Sequence, residues 1–313
     1  MKVVVAGATG FLGRYCVRAL LESGHEVVVL VRNPRKAREL FPVNVDVAVA
    51  NPEDESSVRG ALSPIKCHAL VNLVGIIQEK GKETFENVHY HYFRLLLEAE
   101  KGPQFQKVVL VSALGTHPDA PSRYHKTKLM AEMALIGSSY SYAILRPSFV
   151  LGPEQMFLRY VLGSSGVLSR LMPLPGGGRI MFQPVDVRDV ACSVVGALDA
   201  QDGIYEICGE RVVTFRQLIQ DLCRLAQKKK TIVGVPPAIA YAGAWVLEKF
   251  SSSPPVTRDQ LLMMWRDNIG GLDAGICENG VEVLCKRKPI PYEESLSWAV
   301  SGFLLGDTKK DEA

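Results

Sequence analysis

Short apolar runs, mostly β-branched and carrying little charge, recur through the first half of the chain. They are Val3–Ala6, Val27–Val31, Val45–Val49, Leu70–Val74, Val108–Val111 and Tyr142–Leu145. Strands of a parallel sheet read this way because helices cover both faces and no wet side imposes alternation. Between them, Leu12–Ser23, Pro34–Leu40, Glu53–Leu62, Thr84–Lys101 and Arg123–Ile136 repeat apolar positions every three to four residues, the period of a helix with one buried face. The alternation predicts consecutive βαβ units and hence an α/β fold, with a doubly wound parallel sheet of Rossmann type over residues 1–150.

After Pro147 the alternation degrades. Proline and glycine punctuate the chain at Pro173, Pro175, Gly176–Gly178, Pro236-Pro237 and Pro254-Pro255. A smaller C-terminal substrate lobe of mixed α/β structure is expected over residues 151–306, packed against the carboxyl edge of the sheet, where ligands bind in such folds. The charged tail Asp307–Ala313 is expected to fray.

Composition narrows the function classes. A chain of 313 residues, 47% hydrophobic and 22% charged, can bury a sizeable core. Its net charge of +3 is too small to argue for nucleic acid. Lys228-Lys229-Lys230 reads as a solvated helix end, with contact to an anionic surface as the alternative. The seven cysteines are scattered and show no CxxC or Cys/His spacing, so no metal site is expected and the thiols read as reduced core residues. No charged leader precedes the first apolar run, so no signal or transit peptide and a cytoplasmic location are expected.

Strand Val3–Ala6 runs into Gly7-Ala8-Thr9-Gly10-Phe11-Leu12-Gly13 and then a helix. Glycines at these places let the backbone turn sharply and come close to a pyrophosphate, which sits on the N-terminus of the following helix. A three-glycine pattern alone is weak evidence; its place between the first strand and first helix of a βαβ unit makes it informative. The second strand ends at Val31, where an NAD site carries an acid for the adenosine ribose hydroxyls. Here Arg32 follows, with Arg35 and Lys36 beyond and Arg14 after the last glycine. Guanidinium groups pair with the oxygens of a ribose 2′-phosphate, whereas an acid repels it. NADP(H) is therefore the expected cofactor and NAD(H) the alternative.

With these motifs the chain resembles the extended and atypical short-chain dehydrogenase/reductases over roughly residues 1–235. Gly7, Gly10 and Gly13 match the family's glycine motif, Asn87-Val88 its Asn-Val helix start, Ser112 the end of its fifth strand, and Tyr124 with Lys128 its YxxxK. Arg146-Pro147-Ser148 followed by Gly152-Pro153 is similar to its segment beside the nicotinamide. Within the superfamily the chain is most similar to the nucleotide-binding accessory subunits of respiratory complex I and their bacterial relatives. That likeness rests on Leu73-Val74-Gly75-Ile76-Ile77, Ser112-Ala113-Leu114-Gly115, Ser122–Lys128, Phe182-Gln183-Pro184-Val185 and Val256–Leu262. One departure is Ala48, followed by Asn51, where the family often has an acid near the adenine.

The resemblance implies catalytic roles for Ser112, Tyr124 and Lys128. It implies cofactor contacts from Gly7, Thr9, Gly10, Phe11, Leu12, Gly13, Arg14, Arg32, Arg35, Val74, Gly75, Asn87, Tyr124, Lys128, Pro147 and Ser148. The residues themselves say part of this. Tyr124 and Lys128, at i and i+4, share one helical face. A nearby ammonium favours the phenolate and is expected to bring the hydroxyl, with an ordinary pKa of about 10, toward working range. The family assigns Lys128 a second hydrogen bond, to the nicotinamide ribose, and Ser112 the orientation of a substrate carbonyl. His125 is expected to face away from Tyr124 and be exposed, while His89 and His91, two residues apart, cannot share a helical face and read as structural.

The lobe is less informative. Met156–Leu162 and Val167–Pro175 are apolar, with Arg159, Arg170 and Arg179 interspersed. The arginines suit a sugar-nucleotide diphosphate; the apolar majority suits a terpenoid, quinone or lipid-like ligand, or plain core. Val235–Phe250 is apolar but short of the roughly twenty residues needed to cross a bilayer. Thr257-Arg258-Asp259-Gln260 resembles a capping box leading into Leu261–Trp265, which is either core or an apolar surface that docks on a membrane-bound partner. Three functions are consistent with this reading: an NADP(H)-dependent oxidoreductase acting on a small carbonyl or hydroxyl substrate, a non-catalytic NADPH-binding accessory subunit or assembly factor of a membrane respiratory complex, and a nucleotide-sugar epimerase, against which Arg32 counts.

Overall fold

A computed structural model describes residues 1–41, 45–98, 105–163, 170–251, 254–272 and 278–311. The expected helix end at residues 99–101, the start of the apolar run at 167–169, Cys277 and the last two tail residues lie outside them. The expected alternation is present through the first half: β1 (Lys2–Ala6), α1 (Phe11–Glu22), β2 (Glu26–Val31), α2 (Pro34–Leu40), β3 (Val45–Val49), α3 (Glu55–Leu62) and β4 (Ala69–Asn72). A π-helical turn, Glu86–His91, leads into α4 (Tyr92–Glu98), followed by β5 (Lys107–Val111), α5 (Arg123–Ile136) and β6 (Ser141–Pro147).

The second half contains β7 (Val150–Leu151), α6 (Met156–Leu162), β8 (Leu171–Pro175), β9 (Met181–Phe182), β10 (Val185–Asp186), α7 (Val187–Gly196), β11 (Gly203–Ile207), β12 (Val213–Thr214) and α8 (Phe215–Leu225). Then come β13 (Thr231–Val235), α9 (Pro237–Phe250), α10 (Arg258–Met263), α11 (Gly280–Cys285) and α12 (Tyr292–Asp311). The tail expected to fray from residue 307 is thus helical as far as Asp311.

Seven strands form one parallel sheet in the order β3-β2-β1-β4-β5-β6-β11. Strand order reverses between β1 and β4, which opens a crevice at their carboxyl ends. β11 belongs to this sheet although it lies well beyond residue 150. Period-two alternation sorts the strand residues between two cores. Val3, Val5, Val27 and Val29 meet α1, α7 and α11 on one face, while Val4, Val28, Leu70 and Leu110 meet α3, α4 and α5 on the other. A third core fills the lobe, where Leu158 and Leu162 of α6 pack with Leu218 and Leu222 of α8 and with Leu296 and Phe303 of α12.

Polar side chains start most of these helices. Asn33, Asp54, Ser122, Asp186 and Thr214 accept backbone N–H bonds at the N-termini of α2, α3, α5, α7 and α8, and Thr257 with Gln260 closes a full capping box on α10.

One buried ion pair locks α5 to the sheet. Arg146 of β6 donates from Nε and Nη2 to the two carboxylate oxygens of Glu132, at 3.0 and 2.6 Å, and both side chains are buried. Removing one member of such a pair strands a charge in a low-dielectric interior. Glu132→Ala should therefore lower stability by about 3–5 kcal/mol, read as an earlier denaturant midpoint, whereas an apolar replacement of both partners should recover most of the loss. A single variant as stable as the parent would show that the pair does not hold the helix.

Candidate active site

The crevice is built from glycine. Gly7 ends β1 at φ +82°, and a Cβ there would lie 2.9 Å from the backbone of Leu73 and Val74 beyond β4. At Gly13 a Cβ would meet the Gly7 carbonyl at 2.2 Å. Only bare backbone lets the turn, the β4 end and α1 approach this closely. Gly10 takes the N-cap position of α1 and has no side chain to accept its first N–H groups, which have no partner within a helix. The first turn of α1 also carries no acid. A cradle of free donors at the positive end of a helix, with no side chain in the way, fits a pyrophosphate.

Around this cradle the expected residues occupy different settings. Phe11 packs under Gly152, where a Cβ would touch its ring at 2.8 Å, so the Gly-Pro turn is fitted to the glycine loop. The Arg14 guanidinium lies 3.5 Å from Glu154. Arg32, at the end of β2, is exposed and holds Glu83 at 2.5 Å; Arg35 is exposed one turn further on. The Val74 N–H donates to Asn72 Oδ1. Asn87 is exposed, and its side-chain amide donates to the Lys82 carbonyl, fastening the loop before the π-helical turn.

Lys128 is buried. Its Nζ donates to the Val111 carbonyl at 3.0 Å and lies 3.5 Å from that of Val74. A Cβ added to Gly75 would come within 3.2 Å of the same nitrogen. The ammonium thus sits between the carboxyl ends of β4 and β5, and burial lowers its pKa to about 8, partly offset by Glu132. The Tyr124 ring makes edge contacts with Phe85, His89 and His125, at centroid separations of 5.8, 5.2 and 5.2 Å. Burial pushes its phenol up to about 12. The expected lowering by Lys128 is therefore not what this arrangement produces: the ammonium is turned to the strand carbonyls, and desolvation dominates. A phenol held neutral is a proton donor. Ser112 is buried at the end of β5, 3.5 Å from the Thr116 hydroxyl.

The histidine readings divide. His125, expected to be exposed, is buried; its Nδ1 bonds the Ser122 hydroxyl at 2.8 Å, and its ring lies against Gly115. The loop after β5 folds back over the first turn of α5 and covers it. His89 is structural: Nδ1 bonds Thr127 Oγ1 at 2.9 Å and Nε2 meets the backbone of Ile76. His91 is exposed beside Glu86.

A model of the NAD(P)H-binding family matches residues 7–166. The chain belongs to this family. It is also 33% identical to the mitochondrial NADH dehydrogenase (ubiquinone) 1 alpha subcomplex subunit 9 of Arabidopsis thaliana, over 98% of this chain and 80% of that protein. A ceramide reductase of Caulobacter vibrioides is 28% identical over 78% of this chain and 77% of its own. Among solved structures, UDP-glucose 4-epimerase of Thermotoga maritima superposes with a TM-score of 0.74 at 20% identity, covering 98% of this chain and 99% of that one. The NADPH-dependent quinone oxidoreductase of Escherichia coli gives 0.70 at 19%, over 96% and 99%. These two share the Rossmann-type fold.

Two residues of this NAD(P)H-binding chain escaped the sequence reading. Asp259 of α10 accepts the backbone N–H groups of Arg123 (2.7 Å) and Tyr124 (3.1 Å), so a carboxylate 135 residues away caps the helix that carries the YxxxK pair. Asn268 accepts from Ser148 Oγ at Oδ1 (2.7 Å) and donates to the Leu114 carbonyl, tying the segment after α10 to the ends of β5 and β6. The string around Asp259 served only as a likeness, and nothing in its spacing says which helix it caps. Leu261–Trp265, read as either core or a docking surface, are all partly buried; Trp265 packs against His117 at a centroid separation of 6.0 Å.

The histidines make stability depend on pH. Burial holds His89 down to about 2 and His125 to about 4, against an ordinary 6.5. Between these values and 6.5 the unfolded chain binds protons that the folded chain refuses, so stability is full above 6.5 and lost as pH falls below it. Each group should contribute a slope approaching about 1.4 kcal/mol per pH unit. Unfolding measured from pH 7 to 4 should show this decline, and His89→Gln should remove one proton's share. An unchanged slope in that variant would mean that His89 titrates freely in the fold.

Proposed function

We propose that the chain is an NADP(H)-dependent oxidoreductase acting on a carbonyl or hydroxyl group of a small molecule. What supports this reading is the buried Lys128 ammonium, held by the Val111 carbonyl next to Gly75, with Ser112 following Val111 in the chain, the neutral Tyr124 phenol one turn earlier on α5, and a glycine cradle suited to a dinucleotide. The cofactor would supply or accept the hydride. Lys128, fixed by the Val111 carbonyl, has N–H donors for a ribose hydroxyl. Tyr124 keeps its proton until a developing alkoxide takes it, and Ser112 orients the oxygen that receives it. Pro147 and Ser148, at the end of β6, would meet the nicotinamide end of the cofactor, with Ser148 held by Asn268.

Arg32 supports NADP(H) over NAD(H). It stands at the end of β2, exposed, and already holds an anion, the Glu83 carboxylate. A ribose 2′-phosphate would take that carboxylate's place and also meet Arg35. A second reading, a non-catalytic NADP(H)-binding subunit at the inner face of a membrane in contact with a respiratory complex, is favoured by the 33% identity with a complex I subunit along nearly the whole chain.

Titration should give NADPH binding at least tenfold tighter than NADH, about 1.4 kcal/mol, and Arg32→Asp should narrow or reverse the gap. Equal affinities in the parent protein would overturn the cofactor assignment. With carbonyl substrates and NADPH, Tyr124→Phe should retain nucleotide affinity while reduction falls by roughly a hundredfold or more. Turnover unaffected by that change would assign the proton to another group, and full nucleotide binding without turnover on any carbonyl would favour the accessory-subunit reading.

A further inference from the structure

We propose that α9 and the polybasic turn before β13 form a docking surface for a bilayer carrying anionic lipid. This names the partner for the peripheral membrane contact above, and it rests on the surface rather than on the redox chemistry.

Helix α9 is held to the protein by a narrow stripe. Ala244 is buried, Ala240 and Glu248 are half-buried at four-residue intervals on the same side, and Glu248 is paired to Arg258 of α10. The rest of the helix faces outward, and most of it is apolar. Phe250 is 87% exposed and Ile239 62%, with Tyr241, Trp245, Val246 and Leu247 also exposed. The single free-facing charge is Lys249, which lies over the Trp245 ring at 3.9 Å. Six large apolar side chains exposed on one fourteen-residue helix exceed the scattered exposure usual for a water-facing helix.

Helix α9 follows directly on β13, which pairs with β8 in a two-stranded ribbon. Their parallel register pairs Leu171 with Thr231 and Pro173 with Val233, and all four are exposed. The same register sets Arg170 beside Lys230 at the start of both strands. There Arg170, Arg224, Lys228, Lys229, Lys230 and Thr231 line a cavity of about 750 Å³. Between residues 222 and 247 the sequence holds Arg224 and the three lysines and no acid. The nearest acid on α8, Asp221, is engaged by Arg224 and by the Tyr292 hydroxyl.

An apolar face with a tryptophan, followed in the fold by a ribbon that ends at a hollow whose lining is cationic and includes no acid, matches the two layers of a lipid surface: acyl chains below, phosphates above. Fourteen residues of helix reach about 21 Å, short of the roughly 30 Å hydrocarbon core, and no described helix is long and apolar enough to span a membrane. The mode is therefore in-plane, with Trp245, Val246 and Phe250 entering the interface and the lysines meeting headgroups.

The test is flotation of the purified full chain with vesicles of phosphatidylcholine alone or mixed with phosphatidylglycerol. Binding is expected on the mixed vesicles and should weaken with salt. Replacing Lys228, Lys229 and Lys230 together by Gln should reduce it by at least about tenfold, and Trp245→Ser with Phe250→Ser should abolish it. Trp245, Phe250 and Lys229 are exposed, whereas Lys228 and Lys230 are half-buried and the Lys228 ammonium donates to the Leu162 carbonyl; thermal unfolding and NADPH titration, run on the same preparations without vesicles, should show that both variants remain folded. Those titrations also keep failure of the lipid surface distinct from failure of the cofactor reading. Absence of flotation, equal binding to neutral vesicles after the lysine change, or a concentration-dependent dimer abolished by the Trp245/Phe250 variant would overturn the proposal, the last by giving the face to a second copy.

Discussion

At Gly7 the chain leaves β1 with φ +82°, and the backbone of Leu73 and Val74 lies too near for even a methyl group. That contact brings the carboxyl ends of β1 and β4 together at the place where strand order reverses. The crevice, the free N-terminus of α1 and the position of Gly75 beneath the Lys128 ammonium all follow from it. Gly13 repeats the constraint one helical turn later, where the Gly7 carbonyl fills the room of a side chain. A nucleotide site in this family is thus a matter of what is left out: donors remain available because no Cβ shields them and no acid precedes them.

Opposite this cradle stands α5, which is fixed on every side by a different kind of force. Glu132 anchors its underside through the buried Arg146 pair, and Thr127 meets His89. Lys128 is held by the Val111 carbonyl, and Ser122 and Asp259 satisfy its first N–H groups. Such redundancy fixes the position of the helix that carries Tyr124 and Lys128. It also separates stability from chemistry, since Arg146 and Asp259 act on the helix without presenting a group to the crevice.

The first half was legible in the sequence because its signals are local. Parallel strands buried on both faces appear as apolar runs, helices as a 3.6-residue period, and the glycine turn as a pattern between them; α2 and α5 even begin and end where periodicity puts them. The failures are long-range. β11 could not be read as a sheet strand, since Gly203–Ile207 is unremarkable until its pairing with β6 is known. His125 looked exposed because helical phase says which side a residue faces but not what loop covers that side. The Tyr124 pKa depends on where the Lys128 nitrogen points, and i,i+4 spacing alone cannot specify a rotamer. In the last third, Leu261–Trp265 drew attention by hydrophobicity, yet packing half-buries them; α9 beside them, with small residues inward, carries the larger exposed face.

The cap supplied by Asp259 has a consequence for how the chain matures. During synthesis α5 is complete more than a hundred residues before its second capping group exists, and the sheet lacks its outer strand until Ile207 has been made. Closing a loop of that length adds only a slowly growing entropic cost, but it delays the last contacts that tie the YxxxK helix down. The nucleotide-binding layer therefore has its full set of contacts only once residues beyond 250 are present. A ribosome must deliver residue 259 before the helix carrying Tyr124 and Lys128 has both of its N-terminal caps, Ser122 and Asp259.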